Sequence, residues 1–182
     1  MAIVYMVRHG KAAAGFDGHR DPGLDAVGRE QAEATAMALA PLGPLPIYSS
    51  PLARARETAA PLAARWDVTP EIESRVAEIP SPTDDLRERA RWLGGIMGER
   101  WSSLPEDLHS WRRDMIECVA GYTGDCVVFC HFIAINVVVG AATGADAMIS
   151  FRPDNGSVTR IGVEDGRLGL IELGSEGVTR VN

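Results

Sequence analysis

The feature that most constrains this chain is a run of five apolar residues, 3–7, followed directly by Arg8-His9-Gly10. An uninterrupted apolar run of this length is typical of a central strand buried on both faces of a sheet. In α/β sheets, ligands bind beyond the carboxyl ends of the strands, where Arg8 and His9 are expected to lie. An imidazole there could attack a phosphorus atom while a guanidinium holds two of its oxygens. Two ordinary solvated polar residues would fit this stretch equally well.

Strands and helices alternate along the rest of the chain. Asp25 and Ser50 are predicted N-caps of two helices, with Pro51 at the first helical position of the second. Asp125–Cys130 is predicted to be a second buried strand, and a helix is predicted over Phe132–Ala142. Shorter strands are predicted near 45–48 and 68–72, helices from about 83 and 105, and a hairpin over 157–173. This pattern predicts an α/β fold: a three-layer α/β/α arrangement with a mostly parallel mixed sheet and an antiparallel edge.

Length and charge narrow the class of protein further. The chain has 182 residues, which suits a single domain over 1–182, with a helical insert at about 83–122. A net charge of -7 makes a nucleic acid or an anionic membrane an improbable partner. Three cysteines, an odd number, and an N-terminus without the features of a signal peptide indicate reduced thiols and a cytoplasmic protein.

Four further features are candidates for function, although each is weak alone. Arg54 lies early in the helix after Ser50, where an anion could bind the free N–H groups. Glu78 follows an apolar pair in a proline-rich stretch, and His131 directly follows the second buried strand. A surface arginine, a surface glutamate and a core histidine are the simpler readings of these three. Asn155-Gly156 is most simply a turn.

In this order along the chain, the residues resemble the histidine phosphatase superfamily, which has the phosphoglycerate mutase-like fold. The resemblance rests on Arg8-His9-Gly10 and on a block that is similar to the family's S-S-P-L-x-R-A-x-x-T-A. That block comprises Ser49-Ser50-Pro51-Leu52, Arg54-Ala55 and Thr58-Ala59. Leu24, Gly28, Gln31 and Ala32 match the family's L-T-x-x-G-x-x-Q-A, and Glu78 and His131 stand where the family has its acid and second histidine.

The resemblance implies a metal-independent phosphatase that hydrolyses phosphomonoesters through a phosphohistidine intermediate on His9. By the same resemblance, Arg8, Arg54 and His131 hold the phosphoryl oxygens, and Glu78 protonates the leaving oxygen. No cofactor is implied, and the partner is a small phosphorylated substrate or a phosphoprotein. A phosphohistidine-protein phosphatase, a phosphoglycerate mutase-type enzyme and a non-catalytic phospho-ligand-binding relative remain alternatives.

Two other hydrolase classes fit the sequence poorly. A cysteine-dependent phosphatase needs an arginine six residues after its cysteine, and none of the three cysteines is followed by one. No pair among the histidines at 9, 19, 109 and 131 has the short spacing of metal ligands.

The chain also departs from the family pattern at Lys11, at Phe132 and in the loop after Arg8-His9-Gly10, where the family's asparagine has no clear counterpart. Lys11 stands where the mutases have a glutamate, and it is expected to point outwards. Phe132 stands where the family has a glycine, which weakens the case for close backbone approach to a phosphate there. The insert carries several arginines, most of which are expected to be solvated: Arg87, Arg89, Arg91, Arg112 and Arg113.

Overall fold

The computed structural model describes residues 1–13 and 20–177, so that His19 lies outside the described part. These residues form six strands, five helices and three short 3₁₀ helices, joined by loops. The order is β1 (Ala2–Arg8), α1 (Ala26–Leu39), β2 (Ile47–Ser49), α2 (Ala53–Trp66), β3 (Glu71–Ile72), α3 (Leu86–Ile96), α4 (Glu106–Ala120), β4 (Cys126–Cys130), α5 (Phe132–Thr143), β5 (Val158–Glu164) and β6 (Arg167–Glu172). The predicted alternation of strands and helices is confirmed.

The six strands form one mixed sheet in the order β3-β2-β4-β1-β5-β6. The first four of these strands are parallel, whereas β5 and β6 run antiparallel as a terminal hairpin. β1 and β4, the two strands predicted to be buried, are direct neighbours, with Arg8 opposite Cys130. Both strands therefore end at the same edge of the sheet.

Helices cover both faces of the sheet. Along the buried strands, alternate side chains point to opposite faces and belong to two different cores. Tyr5 and Val7 belong to a cluster with residues of α1 and α2. Val4 and Met6 belong to another cluster with residues of α4 and α5. The predicted three-layer α/β/α fold is confirmed.

The start of α2 differs from the prediction. Ser50 and Pro51 were predicted at the cap and the first helical position, but Leu52 occupies the cap and the helix begins at Ala53. The carboxylate of Asp21 accepts the Ala53 N–H through both oxygens, at 2.9 and 3.1 Å. A carboxylate remote in sequence thus supplies the cap, and the Ser50 hydroxyl is available for another partner.

The segment predicted as an insert contains α3 and α4. The helix predicted from about 83 begins at Leu86 as α3, because Asp85 caps it by accepting the N–H groups of Arg87 and Glu88. α4 packs on the core through Leu108, Met115 and Val119, whereas α3 buries only Leu93. None of the described helices is long and apolar enough to cross a membrane.

Candidate active site

The site lies at the carboxyl edge of the sheet, where β1 and β4 end side by side. His9 and His131 follow these strands directly, and their ring centroids are 5.2 Å apart. The two imidazoles therefore lie beside each other across a narrow gap at this edge. Both side chains are buried, with exposed fractions of 3% for His9 and 0% for His131.

The backbone around His9 is held from several directions. Its N–H donates to the carbonyl of Cys130 at 3.0 Å, and its carbonyl accepts the Asn155 amide at 2.9 Å. The N–H of Gly10 donates to the Thr58 hydroxyl at 2.9 Å. A Cβ on Gly10 would lie 2.4 Å from the carbonyl oxygen of Gly28, so the chain needs glycine here. His9 is thus fixed in place before any ligand arrives.

The contacts of the His9 ring show which nitrogen carries its hydrogen. Its Nδ1 lies 2.7 Å from the carbonyl oxygen of Gly10, which can only accept, so that Nδ1 carries the hydrogen. Nε2 then has a free lone pair, which accepts the Nε–H of Arg54 at 3.2 Å. Burial, above all, and the charge of Arg54 lower the pKa of His9 to about 3. The ring is therefore a neutral imidazole with its lone pair in the site.

His131 contacts a residue whose role the sequence did not predict. Its Nε2 lies 2.8 Å from the hydroxyl oxygen of Ser50, and its Nδ1 is buried without a partner among the described residues. The Ser50 hydroxyl accepts the N–H of Leu52 at 3.3 Å, so its own proton can be donated to Nε2. In the tautomer in which Ser50 donates to Nε2, the ring hydrogen lies on Nδ1, which is then a donor without an acceptor among the described residues. Burial first, and then His9 and the arginines, lower the pKa of His131 well below its usual range.

Two buried arginines adjoin the histidines. Arg8 donates through one terminal nitrogen to the carbonyl of Pro153 at 2.9 Å, and its guanidinium lies over the ring of Phe132, 5.1 Å from the centroid. Arg54 lies 3.9 Å from a carboxylate oxygen of Asp21. Burial lowers the pKa of Arg8 to about 10 against the opposing charges of Glu78 and Asp154, so that it remains protonated at neutral pH.

Glu78 is buried in the same site, with an exposed fraction of 8%. Its Oε1 accepts the N–H of Ile79 at 3.0 Å. Burial and the neighbouring cations shift the pKa of Glu78 in opposite directions. Burial prevails: it raises the pKa of Glu78 above its usual range although the Ile79 N–H, Arg54 and Arg89 lower it.

All five residues predicted from the sequence therefore meet at one place: Arg8, His9, Arg54, Glu78 and His131. Sequence reasoning missed Ser50, Asp21 and Asn155. Asn155 does lie in a turn, with Gly156 at φ +74°, but its side chain also holds the His9 carbonyl. The repeated serines before Pro51 were visible in the sequence, yet they suggested only a helix cap.

The two imidazoles are expected to stay neutral from about pH 8 to pH 5, because burial and positive neighbours lower the pKa of both. NMR spectra of the ring nitrogens measure this directly. In the unfolded chain these histidines titrate near their ordinary value of 6.5, so that below it the unfolded state binds more protons. The free energy of unfolding should then fall as the pH is lowered from about 6.5 towards 3. A ring of His9 or His131 that titrates near 6.5 would contradict this.

Comparison with known proteins decides the family. The family model described as histidine phosphatase superfamily (branch 1) matches residues 4–175. The chain belongs to the histidine phosphatase superfamily. Over 79 residues it is 44% identical to uncharacterized protein Rv0525 of Mycobacterium tuberculosis, and this segment covers 41% of the chain but only 39% of that relative.

Solved structures share the histidine phosphatase fold over almost the full length. Mycobacterial glucosyl-3-phosphoglycerate phosphatase with VO3 has a TM-score of 0.76 at 23% identity, covering 97% of this chain and 100% of that one. Alpha-ribazole phosphatase of Shigella flexneri has a TM-score of 0.74 at 22% identity, covering 98% and 100%. Phosphoserine phosphatase of Entamoeba histolytica with 3-phosphoglyceric acid has a TM-score of 0.72 at 22% identity, covering 96% and 98%. At such identities the likeness concerns the fold.

Two departures from the histidine phosphatase pattern have structural explanations. Phe132 begins α5, and the Arg8 guanidinium lies over its ring. This cation–π contact helps to hold the Arg8 side chain in place. The ammonium of Lys11 lies 3.1 Å from the Asp25 carboxylate, with half of the side chain exposed. Lys11 thus points outwards, as predicted, and pairs with the cap of α1.

Proposed function

We propose that this histidine phosphatase relative hydrolyses phosphomonoesters without a metal ion, through a phosphohistidine intermediate on His9. The observation that carries the proposal is the state of His9: its Nδ1 is committed to the Gly10 carbonyl, and its neutral Nε2 faces Arg54. A neutral, rigidly held imidazole beside two guanidinium groups has the properties of a nucleophile for a phosphoryl group.

The groups around His9 are hydrogen-bond donors, and two of them are positively charged guanidinium groups. They suit the negatively charged oxygens of a phosphoryl group during transfer. In our proposal, Arg8, Arg54 and the Nδ1–H of His131 hold its oxygens as His9 Nε2 attacks phosphorus. Before the attack, Arg54 exchanges its contact with Nε2 for one with a phosphoryl oxygen, which frees the Nε2 lone pair. Because phosphoryl transfer depends mainly on positioning and charge stabilisation, these donors can supply most of what the reaction needs.

Glu78 is the proposed general acid. Its raised pKa favours the protonated carboxyl, which can donate to the leaving oxygen as the ester bond breaks. The resulting carboxylate can then take a proton from the water that attacks phosphohistidine. Water thereby releases phosphate and returns His9 and Glu78 to their starting states.

Trapping the covalent intermediate tests the proposal. The protein is mixed with a phosphomonoester labelled in its phosphoryl group and denatured within one turnover. Label should remain on His9 in alkali and be lost in acid, as a phosphoramidate requires. Hydrolysis of p-nitrophenyl phosphate should be unaffected by EDTA. A protein that binds phosphate but never becomes labelled would instead be a non-catalytic relative, and activity restored by Mg²⁺ or Zn²⁺ after EDTA would indicate a metal mechanism.

Replacing Ser50 by alanine is expected to lower kcat about 10-fold with little change in KM. The change removes one hydrogen bond that orients His131, an interaction of about 1–1.5 kcal/mol. Measurement of kcat and KM for p-nitrophenyl phosphate, with NMR of the His131 ring, checks this. Ser49→Ala is the matched control, because that buried hydroxyl donates to a backbone carbonyl and does not contact His131. Equal losses in the two variants, with an unchanged His131 spectrum, would show that Ser50 acts only on packing.

A further inference from the structure

Asp21 adjoins the site from the segment between β1 and α1, and the proposed reaction does not use it. Its carboxylate accepts the Ala53 N–H through both oxygens, at 2.9 and 3.1 Å, where α2 begins. The same carboxylate lies 3.9 Å from Nη1 of Arg54, the next residue of that helix. Asp21 is therefore held in place beside one of the two arginines that are proposed to bind the phosphoryl group.

The contact between Asp21 and Arg54 is an attraction of charges rather than a hydrogen bond. A separation of 3.9 Å exceeds the length of a hydrogen bond, so that the Nη1 hydrogens stay free for a phosphoryl oxygen. The Arg54 side chain is 5% exposed and that of Asp21 is 45% exposed, which places the pair between the interior and solvent. Asp21 can thus offset the charge of the buried guanidinium without occupying its donors.

The neighbouring groups make Asp21 the lasting counter-ion of Arg54. Burial lowers the pKa of Arg54, and negative charge on Glu78 and Asp21 raises it. Glu78 is the proposed general acid, however, and its burial favours the uncharged form. Arg20, directly before Asp21, donates to Asp84 at 3.2 Å and is thereby engaged elsewhere. The negative charge opposite Arg54 in the empty site is accordingly that of Asp21.

A phosphate held by Arg54 must lie near this second anion. Because the carboxylate and a bound phosphoryl oxygen would face the same planar guanidinium, we expect them to be about 6 to 9 Å apart. This separation is no more than about one Debye length at physiological ionic strength, so that salt screens the repulsion only in part. Asp21 therefore opposes the attraction that the guanidinium groups of Arg8 and Arg54 exert on phosphate.

We propose that Asp21 sets the affinity of the site for phosphate: its carboxylate is the standing counter-ion of Arg54 and weakens the binding of inorganic phosphate, which helps the product to leave. This inference rests on the proposed function, since it takes Arg54 as a ligand of the phosphoryl group. Asp21 acts through Arg54 and is a positioning residue rather than a catalytic one.

The test removes the charge of Asp21 and keeps its hydrogen bond. Asp21→Asn retains a side-chain oxygen for the Ala53 N–H, and asparagine caps helices about as well as aspartate. We expect calorimetry to show that the variant binds inorganic phosphate about 3- to 10-fold more tightly than the wild-type protein at low ionic strength. The difference should shrink as salt is added. Asp21→Ser, with another uncharged capping side chain, should show the same tightening.

Asp85→Asn is the matched control, because it makes the same exchange at the cap of α3, where the carboxylate accepts the N–H groups of Arg87 and Glu88. Its phosphate affinity should equal that of the wild-type protein. Unchanged or weaker phosphate binding in folded Asp21 variants, as judged by thermal unfolding, would show that Asp21 only caps α2 or orients Arg54, and would overturn the inference.

The same measurements separate this inference from the proposed function. Failure of the wild-type protein and of both Asp21 variants to bind phosphate would overturn the role of Asp21. Absence of label on His9 after rapid denaturation would overturn the proposed function instead, and the phosphate affinities would still decide what Asp21 does.

Discussion

Replacing His9 by alanine is expected to lower kcat/KM for p-nitrophenyl phosphate by at least about 10⁴-fold, because the covalent route through phosphohistidine disappears. The loss should appear in kcat and persist with a good leaving group, since phosphorus no longer has an attacking nitrogen. Steady-state kinetics and the absence of labelled protein after rapid denaturation measure the effect.

Two further variants separate chemistry from folding. His9→Asn keeps an amide N–H near the position of Nδ1, where it can still donate to the Gly10 carbonyl, and should be as inactive as His9→Ala. His109→Ala changes a half-buried histidine of α4 that contacts the Leu104 carbonyl at 3.1 Å, and should keep full activity. Retained activity in a folded His9→Asn protein, as judged by thermal unfolding, would refute the assignment of His9.

Replacing Glu78 by glutamine should affect substrates very unequally. For propyl phosphate, whose alkoxide leaves poorly, loss of the general acid should lower kcat/KM about 10²- to 10⁴-fold. For p-nitrophenyl phosphate, whose phenolate leaves without help, the loss should be below about 10-fold. With the latter ester, hydrolysis of phosphohistidine can become the slow step, seen as a burst of nitrophenol.

The pH dependence gives a second measurement of the same group. The acid form of Glu78 is needed for alkyl esters, and burial raises its pKa. Activity on propyl phosphate should therefore extend to a higher pH than an ordinary carboxyl would allow, and this basic limb should vanish in Glu78→Gln. Glu71→Gln, an exposed residue of β3, is the control. Equal losses on both esters would mean that Glu78 holds structure or substrate.

The arrangement of the main elements was predictable from local patterns. Apolar runs identified β1 and β4 as buried strands, and parallel strands whose connections are helical must end at the same edge of a sheet. That rule alone brings His9 and His131 to one edge. The hairpin and the cap at Asp25 also follow from short-range chemistry. The catalytic roles of the five predicted residues remain predictions.

Other features depend on partners that lie far away in the sequence. The carboxylate that accepts the first N–H of α2 belongs to Asp21, 32 residues before Ala53. The hydrogen bond between Ser50 and His131 spans 81 residues. Asn155 reaches the carbonyl of His9 across 146 residues. The serines before Pro51 predicted a helix cap, because a sequence does not show which distant group a hydroxyl contacts in the folded chain. Only the fold brings Ser50 to His131.

The sequence by itself determined the sheet, the layers and the edge at which Arg8, His9 and His131 converge, because periodicity and apolar runs depend on neighbouring residues alone. Tertiary structure decided the position of the proton on His9, the raised pKa of Glu78 and the burial of both histidines. These properties depend on how deeply each group is buried and on which charges surround it. Burial and surrounding charge are sums over residues distant in sequence, so that no local pattern contains them.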